Sequence, residues 1–157
     1  MIYAIALGSN RCHGQYGAPR LVVAAALLAL ELPVVVQSRI VETLPLGPSI
    51  RRYANAAVLV ESDLEPDALL EHLKAAERRF GRRASQRWAA RVLDLDIILW
   101  SGGAWSSPGL IIPHPEFRRR AFVLDPLCQI AAGWRDPVSG QTARQLKALL
   151  DRPRSCA

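Results

Sequence analysis

Apolar and polar positions along this chain switch between a period of two and a period near 3.6, and the switches mark out its elements. Residues 2–7 form a short apolar run ending in Gly8-Ser9-Asn10, which predicts a strand running into a polar turn. Residues 19–32 are dense in Leu, Val and Ala and predict a buried helix. Residues 34–43, β-branched with polar breaks, predict a second strand, and Leu44-Pro45-Leu46-Gly47-Pro48 a stiff loop, since each proline fixes φ. Tyr53 to Glu61 alternates as a third strand. Pro66 then stands where a first helical position belongs, with Leu69, Leu70, Leu73 and Ala76 at helical spacing up to Gly81. A basic loop precedes Leu93-Asp94-Leu95-Asp96-Ile97-Ile98-Leu99-Trp100, a strand entering the core with its polar end at the rim. Leu110-Ile111-Ile112 predicts a further strand, and two short helices are expected near 124–131 and 141–150. The order β-α-β-β-α-β belongs to the split ferredoxin-like arrangement. The predicted class is therefore α+β, a ferredoxin-like α/β sandwich with an additional C-terminal strand and short helices.

Length and composition narrow the picture. The 157 residues suit one domain, 1–157, and half of them are apolar, which excludes a disordered chain. The longest apolar stretch, residues 21–30, is too short to span a membrane. Cys12, Cys128 and Cys156 are odd in number and widely spaced, so the chain reads as a reduced, cytoplasmic protein. The net charge is +6, and among twenty cationic residues only Lys74 and Lys147 are lysines. Arginine presents a planar fork suited to phosphate. Composition alone leaves a phosphorylated small molecule and a nucleic acid equally open as partners.

Asp94 and Asp96 separate these alternatives. Residues two apart on a strand share a face, so both carboxylates point the same way, where repulsion would raise one pKa unless a cation lies between them. Mg²⁺ is a natural occupant, because it commonly takes one or two protein carboxylates plus substrate phosphates. An isolated Asp-x-Asp is more commonly a solvated strand end. Here seven cations between Lys74 and Arg91 lead directly into the pair, and phosphoryl-transfer sites consist largely of positioned charge. Most such runs are solvated helix faces. A second basic cluster, Arg118-Arg119-Arg120, follows Pro113-His114-Pro115, and Asn55 lies on a strand beside Tyr53. An amide there can offer donor and acceptor together to a heterocycle edge. Gly8-Ser9-Asn10 lacks the glycines and lysine of a phosphate-binding loop.

These pieces, in order, resemble the 6-hydroxymethyl-7,8-dihydropterin pyrophosphokinases of folate biosynthesis. The resemblance rests on Ala6-Leu7-Gly8-Ser9-Asn10, Tyr53-Ala54-Asn55-Ala56-Ala57-Val58, Arg91-Val92-Leu93-Asp94-Leu95-Asp96-Ile97 and Pro113-His114-Pro115. It implies that ATP donates its β,γ-pyrophosphate to the pterin hydroxymethyl group, releasing AMP. Asp94 and Asp96 would hold two Mg²⁺ ions, and Arg82 and Arg91 would stabilise the migrating group. Glu77, Ile97, His114, Arg120 and Trp88 would meet ATP, with Trp88 on a loop that closes over both substrates. Thr43, Leu46, Tyr53, Asn55, Asp94 and Phe122 would form the pterin site. Trp88-Ala89-Ala90-Arg91 replaces the Trp-Gly-Pro-Arg usual in that family. The expected partners are the two small substrates, with no nucleic acid and no membrane, and the expected state is a monomer. Two rival readings are a weakly catalytic paralogue that keeps the fold and a basic RNA-binding domain. RNA-binding sheets of this type display several aromatics on one face, and no such strand motif occurs here.

Overall fold

The computed structural model describes residues 1–43, 52–81 and 92–152. Four strands form the main sheet path: β1 (Ile2–Ser9), β2 (Val34–Gln37), β4 (Tyr53–Glu61) and β5 (Asp94–Trp100), in the order β2-β4-β1-β5. Every pairing along this path is antiparallel, and the short β3 (Val41–Thr43) pairs with β4 beyond the end of β2. Helices α1 (Pro19–Leu28) and α2 (Pro66–Arg79) both open on a proline, whose missing N–H costs nothing at a helix start. A hairpin of β6 (Trp105–Ser107) and β7 (Leu110–Ile112), then α3 (Ala121–Ala131) and α4 (Ala143–Leu150), complete the described chain.

Strand alternation divides the core in two. Tyr3, Ile5 and Leu7 of β1 pack with Val22, Val23 and Ala26 of α1 and with Leu69 and Leu73 of α2. Ala4 points the other way and packs with Val123, Leu124 and Leu127 of α3 and Leu146 of α4. The sheet is thus covered on both faces, which explains why β1 and β4 are apolar almost throughout rather than at alternate positions.

Several elements depart from the sequence-based expectation. The strand expected over 34–43 is two strands, because Ser38 binds Ala57 with both its groups: its N–H donates to the Ala57 carbonyl (2.9 Å), and its Oγ accepts from the Ala57 N–H (2.9 Å). Arg39 then donates its N–H to Gln129 Oε1 (3.0 Å) instead of to the ladder. Helix α1 stops at Leu28, short of 32. Glu31 adopts a φ of 54°, unusual for a residue with a side chain, and Pro33 could not continue the helix. β1 runs two residues further than expected, to Ser9. β6 was not foreseen, since Trp-Ser-Ser has no strand pattern; Gly109, with a φ of 88°, makes the turn that pairs it with β7.

β5 is the far edge of the sheet, and its free side is covered. The Leu95 N–H donates to Glu77 Oε1 of α2 (2.9 Å), and the Ile98 carbonyl accepts from the His114 N–H (3.0 Å). An edge so occupied offers little to a foreign strand.

Candidate active site

The register of three strands assembles the site. Gly8 of β1 lies opposite Asn55 on one side and Asp94 on the other, and Ala6 lies opposite Ala57 and Asp96. Directly opposed residues share a face, so Asn55–Gly8–Asp94 is one row across the sheet and Ala57–Ala6–Asp96 the next. Tyr53 and its partner Thr43 on β3 extend the same face by one further row. This is the face that α3 covers. Where α3 begins, a cavity of about 740 Å³ opens between helix and sheet, a size suited to a small-molecule site.

Its floor is Gly8, Asn55, Asp94 and Asp96, with Thr43 and Tyr53 at one side and Arg120 and Phe122 opposite. The two aromatics are substantially exposed, Tyr53 at 37% and Phe122 at 45%, which is unusual for rings with a core nearby. The Arg120 guanidinium lies 5.8 Å from the centre of the Phe122 ring. Asn55 is only 7% exposed, yet its Nδ2 has no hydrogen-bond partner among the described residues. An unmatched buried amide costs about 1–3 kcal/mol, a deficit that a ligand with an acceptor would remove.

The carboxylates stand at the entry of β5, and that entry is tied down. Ser9, almost fully buried at the end of β1, donates its Oγ hydrogen to the Val92 carbonyl (2.5 Å). Asp94 and Asp96 are half-buried on the cavity side, whereas Leu93, Leu95 and Ile97 between them fill the core beneath α1 and α2. Two hard oxygen donors on one face, opening on a cavity, suit Mg²⁺ completed by phosphate and water. Among the described residues no third His, Cys, Asp or Glu joins them in a ligating cluster.

Of the residues singled out from the sequence, the cavity brings together Thr43, Tyr53, Asn55, Asp94, Asp96, Arg120 and Phe122. Three others lie elsewhere. Ile97 points to the opposite face, 2% exposed in the core, so its side chain lines no part of the cavity. Glu77 is buried on α2, where Oε1 serves the Leu95 N–H. His114 sits at the outer edge of β5, its Nδ1 accepting from the Glu116 N–H (3.2 Å). Leu46, Arg82, Trp88 and Arg91 lie outside the described residues. Sequence reasoning missed the structural part of Gly8-Ser9-Asn10, all three of which line the cavity, and missed Asp125, which lines it while pairing with Lys147 (3.0 Å). A glycine at the end of an apolar strand was the available signal for the first.

Comparison with known proteins places this geometry in context. A family model described as 7,8-dihydro-6-hydroxymethylpterin-pyrophosphokinase (HPPK) matches residues 4–132. A Synechocystis protein named 2-amino-4-hydroxy-6-hydroxymethyldihydropteridine pyrophosphokinase is 42% identical over 105 residues, covering 67% of this chain and 54% of the relative. The chain thus spans about half the length of that relative. A Pseudomonas aeruginosa protein of the same name is 39% identical over 138 residues, covering 85% of this chain and 82% of the relative. The crystal structure of Plasmodium falciparum HPPK-DHPS matches with a TM-score of 0.73 at 14% identity, over 94% of this chain and 40% of that one. At that identity the likeness speaks for the mixed α/β fold alone.

Proposed function

Because the chain belongs to the 7,8-dihydro-6-hydroxymethylpterin-pyrophosphokinase family, we propose that it moves pyrophosphate from ATP to the hydroxymethyl group of 6-hydroxymethyl-7,8-dihydropterin. The products are the pterin diphosphate and AMP, an intermediate step of folate biosynthesis. The observation that carries this reading is the single cross-strand row Asn55–Gly8–Asp94 on the floor of one cavity. A buried amide suited to a heterocycle edge and a carboxylate suited to a cation on phosphate stand there on either side of one bare backbone position.

In this reading Asn55 pairs with the polar edge of the pterin, Tyr53 and Phe122 enclose its ring, and Asp94 borders it. Thr43 and Leu46 contribute main-chain contacts. Arg120 neutralises ATP phosphate across the cavity from the carboxylates. Arg82 and Arg91 meet the migrating pyrophosphoryl group, and Trp88 and His114 meet ATP; these roles follow from the family motif. Ile97 meets the nucleotide through its main chain, and Glu77 acts by holding the edge of β5. Asp94 and Asp96 would hold two Mg²⁺ ions, which supply charge neutralisation along the triphosphate. The side chains themselves fix both substrates in line, which is the larger part of catalysis in phosphoryl transfer.

The strand order β2-β4-β1-β5, antiparallel throughout and with α1 and α2 on one face, supports a ferredoxin-like split fold carrying an extra helical layer. The protein in this reading is one domain, a cytoplasmic monomer acting on small molecules and on neither nucleic acid nor membrane. The test is direct. Purified protein is mixed with ATP, Mg²⁺ and the hydroxymethyl pterin, and nucleotide products are resolved. AMP should appear in step with pterin diphosphate; ADP in its place, or no turnover at all, overturns the proposal.

A further inference from the structure

Gly8 is a glycine without a backbone reason to be one. It lies inside β1, and it is not among the glycines with positive φ, which are Gly17, Gly81, Gly103, Gly109 and Gly140. Glycine within a strand weakens it by about 0.5–1 kcal/mol relative to alanine, and commonly marks a close approach of another group. The neighbouring row on the same face carries Ala6, so a methyl group is tolerated one step along the strand.

What a side chain at position 8 would meet is specific. A Cβ there would stand 3.2 Å from Asn55 Oδ1, closer than ordinary van der Waals contact, and apart from its own chain neighbours no other atom of the described residues comes within 4 Å. Asn55 is nearly fully buried, and its Nδ2 makes no hydrogen bond among the described residues. With no such bond anchoring Nδ2, packing sets the orientation of the amide, and Gly8 is the wall on its Oδ1 side. An added methyl would be relieved by turning the amide, since backbone is far less able to shift.

We infer that Gly8 is a positioning residue: its bare Cα holds the Asn55 amide in the orientation that reads the pterin edge. The inference rests on the proposed pterin site and adds to it a residue that has no side chain of its own. It predicts an effect confined to one substrate and transmitted through one side chain.

The experiment is a double-mutant cycle read by binding. Gly8→Ala should raise the pterin dissociation constant about tenfold, on the scale of one misaligned hydrogen-bonded group. Binding of a non-hydrolysable ATP analogue with Mg²⁺ should change less than about twofold. In an Asn55→Ala background the same Gly8→Ala change should have almost no further effect on pterin, because the group it acts through is gone. An unchanged pterin affinity in Gly8→Ala, or an equal loss in both backgrounds, overturns the inference. Should Gly8→Ala fail to fold, nuclear Overhauser contacts from the Asn55 side-chain NH2 protons in the wild-type protein decide the matter. One fixed amide orientation with these protons turned away from the Gly8 Cα protons is expected, and averaging over both orientations, or contacts to Gly8, overturns the claim. A wild-type protein that binds no pterin would retire the functional reading instead, and the same contacts would still judge the orientation of Asn55.

Discussion

Asp96 and Asn55 stand on the same sheet face in adjacent rows, on β5 and β4 to either side of β1, and their different chemistry makes their substitutions separable. Asp96→Ala removes the carboxylate proposed to ligate the metal without touching the core, since the apolar neighbours Leu95 and Ile97 pack on the other side. Turnover should fall on the order of a hundredfold or more, with the melting temperature nearly unchanged. Activity within a few-fold of wild type would remove Asp96 from the site. Asn55→Ala should instead weaken pterin binding by roughly 1–3 kcal/mol and leave ATP affinity alone. Titration calorimetry with each ligand separates the two, and equal losses for both would indicate a folding defect. At this scale the alternation of a strand made the carboxylate pair legible: Leu-Asp-Leu-Asp can only bury its leucines by presenting both aspartates together. The same rule puts the Ile97 side chain with the leucines in the core, which leaves only its main chain for a ligand. Gly8 was passed over because a glycine leaves no pattern of its own until the strands pair.

The elements show where register depends on side chains that periodicity does not reveal. Among the described residues the outer edge of β5 has no strand beside it, and Glu77 supplies the acceptor for the Leu95 N–H between the two aspartates. Glu77→Ala should therefore leave that buried amide unmatched, costing about 1–3 kcal/mol. For a domain of this size that is a fall of several degrees in melting temperature. Hydrogen exchange should rise at Leu95 in particular; unchanged protection there would mean that α2 holds β5 by packing alone. Helical spacing identified α2 and the inward positions Leu69, Leu73 and Ala76, but it could not distinguish a carboxylate serving a strand from one facing ATP. The break between β2 and β3 was equally hidden, since it depends on Ser38 meeting Ala57, nineteen residues away.

Across the whole molecule, the layer that roofs the cavity is pinned by an ion pair between a half-buried arginine and a buried aspartate. Arg118, just before α3, donates from Nε and Nη2 to both carboxylate oxygens of Asp136, each at 2.7 Å, and Asp136 lies in the connection between α3 and α4. Asp136 is about 1% exposed. Burial by itself pushes its pKa up, but the hydrogen bonds from Arg118, Ser139 and the Val138 N–H, together with the Arg118 charge, outweigh burial and bring it down to about 2. Eighteen residues separate the partners, and Arg118 read from sequence as one member of a basic triplet, so the pairing emerges only with the fold. An aspartate in the unfolded chain titrates near 4. Its folded value is lower, so this contribution is fully present above about pH 4 and is lost as the pH falls toward 2. Asp136→Asn removes the charge that the Arg118 guanidinium, about a quarter exposed, pairs with, and should cost about 2 kcal/mol near neutrality. Urea unfolding of both proteins from pH 6 down to pH 2 checks the sign: the gap between them should be constant above pH 5 and close progressively below pH 4. A gap that stays constant to pH 2 would show that the pair is held by shape rather than by charge.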